Sequence, residues 1–300
     1  MKRLICALLA AGAVYACPAV ADTGNATADG TAPLFDEGKL LATGGVSNVE
    51  GAGGGGLATW ALITGYGTRD GLSANVHETY IDLPDYSLQS PGISVGLYDR
   101  VELSYDWQAF DTEHTGKLLG LGEGFTFHQQ ILGAKLKLIG DAVYDQDSLM
   151  PQIAAGVQYK DNDRGAIIKA VGGKASDGTD FYIAATKVLL EESVLLNATV
   201  RETEANQFGI LGFGGPRNSG YSTEFEGSAV LLLSRNWAIG GEYRTKPDNL
   251  AFAKEDNAFD AFVAYFFDKH LSATLAYVDL GNIAINNNQH GVYASLQVGL

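Results

Sequence analysis

Charge is scarce in this 300-residue chain, with Asp, Glu, Lys and Arg making up 18% of it, against roughly 25% in an average soluble domain. So few charges leave little to cover the surface of a water-soluble protein of this length. Long apolar runs are scarce as well. Beyond residue 21 no stretch offers the ~20 mostly apolar residues that a membrane-crossing helix needs. The nearest approach, 51–68 (GAGGGGLATWALITGYGT), is uncharged but opens on glycines. The β-branched and aromatic residues that follow suit a loop running into a strand better than a helix. Cysteine is limited to Cys6 and Cys17, which excludes a disulfide framework, and neither HExxH nor CxxC occurs. Basic residues are outnumbered 20 to 35, giving a formal charge of −15. A surface of that sign repels phosphate, so a nucleic-acid partner is excluded.

What is present begins with an export signal. Lys2 and Arg3 precede an apolar stretch from Leu4 to Ala16, and Ala19-Val20-Ala21 is a small-x-small cleavage site. Cleavage there predicts a mature chain that starts at Asp22 and has no thiol. It removes two basic residues and no acidic ones, so the formal charge becomes −17. Lipidation at Cys17 is the competing reading, disfavoured by the bulky Tyr15 beside the cleavage site.

The mature region alternates with period two. Val101, Leu103, Tyr105, Trp107 and Ala109 oppose Glu102, Ser104, Asp106 and Gln108; the same pattern returns at 194–203, 237–244 and 292–300. Such strands have one face for lipid and one for water. Short connections (Asp99-Arg100, Glu191-Glu192, Ser234-Arg235-Asn236, Asp268-Lys269) alternate with longer glycine-rich ones, as in barrels with short periplasmic turns and long outer loops. The expectation is an all-β fold: a single closed antiparallel transmembrane β-barrel over residues 39–300, with about 14 strands and 12 or 16 as alternatives. Five of the 14 are placed at 39–49, 57–66, 72–82, 92–98 and 101–111. Residues 161–178 have room for a short helix. The segment 22–38 is either a periplasmic lead-in or a plug for the lumen.

The stretches LATGGVSNVEGAGGGG (41–56), GYGTRD (65–70), GLYDRVELS (96–104), GEGFTF (122–127), GDAVYDQD (140–147), ANQFGILGFGG (205–215), KPDNLAFAKED (246–256) and LAYVDLG (275–281) resemble an uncharacterised proteobacterial outer-membrane barrel family, a domain-of-unknown-function family. The resemblance spans nearly all of the mature chain and implies an outer-membrane barrel without implying an activity. One departure is the end of the chain, Leu300, where such barrels close on an aromatic residue.

Nine charged residues fall on inward faces and are the candidate lumen lining: Glu102, Asp106, Lys135, Lys137, Arg201, Glu224, Glu226, Glu242 and Arg244. Facing lipid at mid-bilayer, a Lys or Arg would cost about 2–4 kcal/mol. Facing inward, they either set a field across an open pore or pair across strands and fill the lumen. None of the five histidines has a convincing catalytic partner in the sequence, and 161–165 (DNDRG) reads as an acidic turn rather than a calcium loop. No cofactor is expected. The loops Lys117 to Phe127 and Gln207 to Gly215 are apolar for segments that meet water, which points either to folding into the mouth or to contact with hydrophobic solutes. The expected partners are outer-membrane lipid, the barrel-assembly machinery and an unidentified small solute. The expected function is a passive channel, with a non-conducting surface barrel and an outer-membrane hydrolase as alternatives.

Overall fold

The computed structural model describes residues 34–35, 37–44 and 46–300. The expected signal peptide and most of the segment 22–38 lie outside the described residues. Twelve strands follow in order: β1 (Leu72–Asp82), β2 (Ser87–Leu97), β3 (Val101–Asp111), β4 (Thr126–Ile139), β5 (Gln152–Asn162), β6 (Asp177–Leu189), β7 (Val194–Thr203), β8 (Ser222–Leu232), β9 (Trp237–Arg244), β10 (Ala258–Phe266), β11 (Leu271–Asp279) and β12 (His290–Gly299). Each pairs antiparallel with its neighbours in sequence, and β1 pairs with β12 to close the barrel. Closure removes the unpaired edges that an open sheet would present. Leu300 extends the seam by exchanging backbone hydrogen bonds with Ala74.

The strands predicted at 39–49 and 57–66 do not form, which brings the count to 12. Their apolar residues imitate strand composition, but every partner edge is already used by the closed ladder. β2 starts five residues before its predicted start at 92 because Pro91, which cannot donate to a ladder, is accommodated where the β2–β3 pairing skips from Gln89 to Gly92.

The four short connections named above fall at one rim of the barrel, together with the start of β1 and the end of β12. The opposite rim carries the long segments 112–125, 163–176, 204–221, 245–257 and 280–289, including the short helices α1 (Glu113–Leu118) and α2 (Gly165–Ala170). Outward residues at mid-strand are bare aliphatics, among them Leu103, Leu132, Ile183, Leu196 and Leu275, each about half exposed. Aromatic residues ring both ends: Tyr98, Trp237 and Phe267 at the short-turn rim, Phe181, Tyr221, Tyr243 and Tyr277 at the long-loop rim. This is the apolar band with flanking aromatic girdles that a lipid bilayer selects. Among the described residues no helix is long and apolar enough to cross a membrane.

The inner face of the barrel is polar around most of its circumference. At 262–266, however, the strand is apolar on both faces, because Phe262, Ala264 and Phe266 pack inward against Ala58 and Trp60 of the interior segment.

Candidate functional site: a chain segment held inside the barrel

Residues 46–66 leave the short-turn rim, run up the lumen and return. The two legs meet at the mouth: Lys39 N donates to Tyr66 O at 3.1 Å, and a Cβ on Gly44 would lie 2.4 Å from the Gly65 carbonyl oxygen. Glycines let the chain turn where no regular element is available. Gly51 has φ +84 and backs onto Asp106, while a Cβ on Gly55 would meet the Glu242 carboxylate at 1.8 Å.

A buried loop without a sheet partner must find other partners for its backbone, since each unmet group costs about 1–3 kcal/mol. The barrel wall supplies them as side chains. Glu102 accepts from Gly53 N and Thr64 N, and Lys135 donates to Gly53 O and Leu62 O. Glu242 accepts from Leu57 N at 2.6 Å, Glu226 from Thr59 N at 2.7 Å, and Thr186 from Ala61 N at 2.7 Å. Gln297 brackets Ser47, accepting from its N–H at 2.7 Å and donating to its carbonyl at 3.0 Å. Gln108 donates to Val49 O at 2.7 Å. Trp60 Nε1 donates to Ser228 at 2.8 Å.

Near the tip of this plug lies an ionic cluster. Glu50 pairs with Lys160 of β5 and with Arg244 of β9 at 2.7 Å, and lies 3.8 Å from Arg201 of β7. Asp180 pairs with Lys160 at 2.8 Å and Arg201 at 3.2 Å, and Glu226 with Arg201 at 2.5 Å. All six side chains are buried. Burial alone would push the Glu50 carboxyl up, but Arg244, Lys160 and Arg201 outweigh it and hold the group well below the usual carboxylate range.

Above the tip the long loops form an apolar roof. Val49 and Leu57 of the plug pack with Ile81, Leu88, Phe110, Phe127, Ile210 and Leu211, enclosing a cavity of about 30 Å³ bordered by Phe208 and Ile283. The turn Asn206–Gly209 seals it, with Gln207 and Phe208 at φ 46 and 59. These are left-handed values rare for non-glycine residues, fixed here by tethers from several elements. Phe208 O accepts from Lys160 and Gln129 at 3.2 Å each, Gln207 N donates to Glu255 at 2.8 Å, and the Phe208 ring lies 4.4 Å from the Arg244 guanidinium.

Burial pushes the Glu255 carboxyl up to about 7, with Lys246 opposing and Asp248 adding to the rise. A carboxyl raised in the folded state stabilises below its unfolded pKa, and that stability is lost as pH climbs through the folded value. The roof is therefore expected to loosen between about pH 4.5 and 7, by on the order of 3 kcal/mol at most. Hydrogen exchange at residues 206–213 checks this: at pH 8 the Glu255→Gln variant exchanges more slowly than the parent, and at pH 5 the two converge. Equal rates at pH 8 contradict it.

Of the nine lumen candidates, Glu102, Asp106, Lys135, Lys137, Arg201, Glu226, Glu242 and Arg244 are buried within the barrel. Glu102 pairs with Lys135, and Lys137 pairs with Asp99 at the short-turn mouth. Glu224 is half-buried near the opposite rim, across from Arg201 in the β7–β8 register. Sequence reasoning missed Glu50, Lys160 and Asp180. The parity of Gln158, Lys160 and Asn162 against Val157 and Tyr159 marks Lys160 as inward, a signal obscured by the acidic residues after it. The apolar 207–215 loop does fold over the mouth.

His77 and Asp106 pair at 2.9 Å with both side chains fully buried, and Ser90 donates to the same aspartate rather than to the histidine. One GxSxG pattern does occur, Gly92 to Gly96 (GISVG). Its Ser94 lies within β2, buried and bonded to Thr64 and Ser47, with none of the strand-to-helix elbow that exposes a nucleophile. His128 at the rim holds Asp163 at 3.0 Å, which makes 161–165 a braced turn. Among the described residues no group of three or more His, Cys, Asp or Glu could hold a metal ion.

Comparison with curated proteins gives no match. Among solved structures the chain is similar to the KdgM porin (10% identity, TM-score 0.48, covering 75% of this chain and 98% of that one). It is similar also to a NanC porin (10% identity, TM-score 0.42, 75% and 97%) and to outer membrane phospholipase A from Escherichia coli (9% identity, TM-score 0.42, 76% and 92%). A family model matches residues 43–297, and the chain belongs to that family, described as "Protein of unknown function (DUF3034)".

Proposed function

We propose that the protein is an outer-membrane channel for small solutes that rests closed, its lumen occupied by residues 46–66. The observation that carries this reading is the division of labour in the interior. The wall presents carboxylates, ammonium and guanidinium groups, amides and hydroxyls, and what fills the space between them is a single excursion of the chain bound without covalent links. With that excursion withdrawn, the lining is the hydrophilic surface of a solute pathway. The apolar outer band with its aromatic girdles supports a place in the outer membrane, where barrels of this construction reside.

Two cavities bordering the plug among the described residues measure about 30 Å³ each, and such tight filling favours a non-conducting structural barrel as the second reading. Planar-bilayer recording of the refolded protein separates them. The channel reading expects infrequent but discrete conductance steps at applied voltage; silence at every voltage, in a preparation whose gel mobility changes on boiling as a folded barrel's does, favours the structural barrel.

A further inference from the structure

The plug tip places two chemically opposite groups side by side: Val49 in the apolar roof cluster and Glu50 among the buried cations. The wall groups ion-paired around Glu50 are Lys160, Arg201 and Arg244 with Asp180 and Glu226, so without Glu50 this ion-paired cluster carries one excess positive charge, while Glu224, half-buried toward the rim, faces Arg201 in the ladder register but lies outside these pairs. Glu50 neutralises it. Withdrawing the plug takes Glu50 out and leaves that charge buried and uncompensated, which a barrel interior does not tolerate without hydration or a counter-ion.

We propose that Val49 and Glu50 stand in for the solute, and that the cradle of Lys160, Arg201 and Arg244 under the Phe208 roof binds a small monocarboxylate with a compact apolar body. Lys160 and Arg244 take the carboxylate through charge-assisted hydrogen bonds, and the apolar body occupies the space beneath Phe208 and Ile210 that Val49 and the adjoining cavity now share. A solute of this kind binds only where the plug tip has left, so it shifts the equilibrium toward the plug-withdrawn state by mass action. A dianion overcompensates the charge, and a neutral or cationic analogue leaves it unmet. The inference rests on the channel reading for its consequence, but the binding site can be tested without ion flow.

The test is calorimetric titration of benzoate and benzyl alcohol into the full-length barrel in nanodiscs at pH 7. Three proteins are compared: the parent, Glu50→Ala, and Glu50→Ala combined with Lys160→Met. Benzoate is expected to bind Glu50→Ala at least tenfold more tightly than the parent, benzyl alcohol is expected to gain nothing, and Lys160→Met is expected to cancel the gain. Equal gains for benzoate and benzyl alcohol, or a gain indifferent to Lys160→Met, overturn the proposal. If Glu50→Ala does not fold, Glu50→Gln keeps the volume and loses the charge. Benzoate is then expected to raise the melting temperature of Glu50→Gln and to leave that of the parent unchanged, and identical shifts in the two overturn the proposal. A barrel that binds benzoate in this pattern and never conducts removes the channel reading alone; one that conducts without the Glu50-dependent gain removes this proposal alone.

Discussion

Deleting Val46–Thr64 is expected to turn a closed barrel into one that conducts continuously. The excursion begins and ends at the same place, with Gly44 against Gly65, so the deletion shortens a loop and leaves all twelve strands and every ladder register untouched. The wall groups that now bind plug backbone become solvated: Glu102, Lys135, Glu226, Glu242 and Gln297 exchange amide partners for water. If the plugged state outweighs the open one by about 99 to 1, deletion raises the time-averaged conductance roughly a hundredfold. Planar-bilayer current, or swelling of liposomes in a permeant sugar, reads the change. A deletion variant that folds, shifts on boiling and still passes no current assigns the closure to the loops above, and the channel reading loses its main support.

Arg201→Met is expected to carry the largest stability cost of any single substitution in the lumen. Arg201 is buried, stacks 5.1 Å from the Tyr182 ring, and holds Glu226, Asp180, Gln158 and Thr59 at once. Methionine keeps most of the volume and removes the charge, leaving two carboxylates short of a partner. Breaking a buried pair in this way costs about 3–5 kcal/mol, read as a shift of the denaturant midpoint in detergent. Adding Glu226→Gln restores neutrality to the cluster and is expected to recover a large part of the loss, because the penalty lies in the stranded charge rather than in the missing contact. A loss below about 1 kcal/mol, the range of exposed pairs, would place water throughout the cluster.

Most of the barrel is legible in the sequence, because a wall with lipid on one side and polar groups on the other enforces strict alternation. β1 and β3 match their predicted limits, 72–82 and 101–111. The plug is not legible, for a physical reason. Trp60, Ile63 and Leu57 are buried by the wall on all sides, so nothing in their pattern distinguishes a lumen filler from a strand, and the glycines that mark a loop are read as a lead-in. The inward charges are visible by parity, but their partner Glu50 is not: it sits in a glycine-rich stretch with no periodicity, and only the closed ladder brings it beside Lys160 and Arg244. The apolar 207–215 loop can be recognised as unusual, while its seat on the plug tip depends on Glu255, Lys246 and Arg244, which come from the far end of the chain.

The central claim, that residues 46–66 must move for solute to pass, is tested most directly by tying them down. Ser47 of the plug and Ser94 of β2 are buried with their hydroxyl oxygens 3.2 Å apart, within reach of a disulfide once both are cysteine. The chain has no other cysteine beyond its first 21 residues. Single-channel recording of the Ser47→Cys, Ser94→Cys variant, oxidised and then reduced in the same bilayer, is the measurement. Silence is expected with the disulfide closed and discrete openings when reductant is added; the same openings in both states, with the disulfide verified by mass, would contradict a plug that must move.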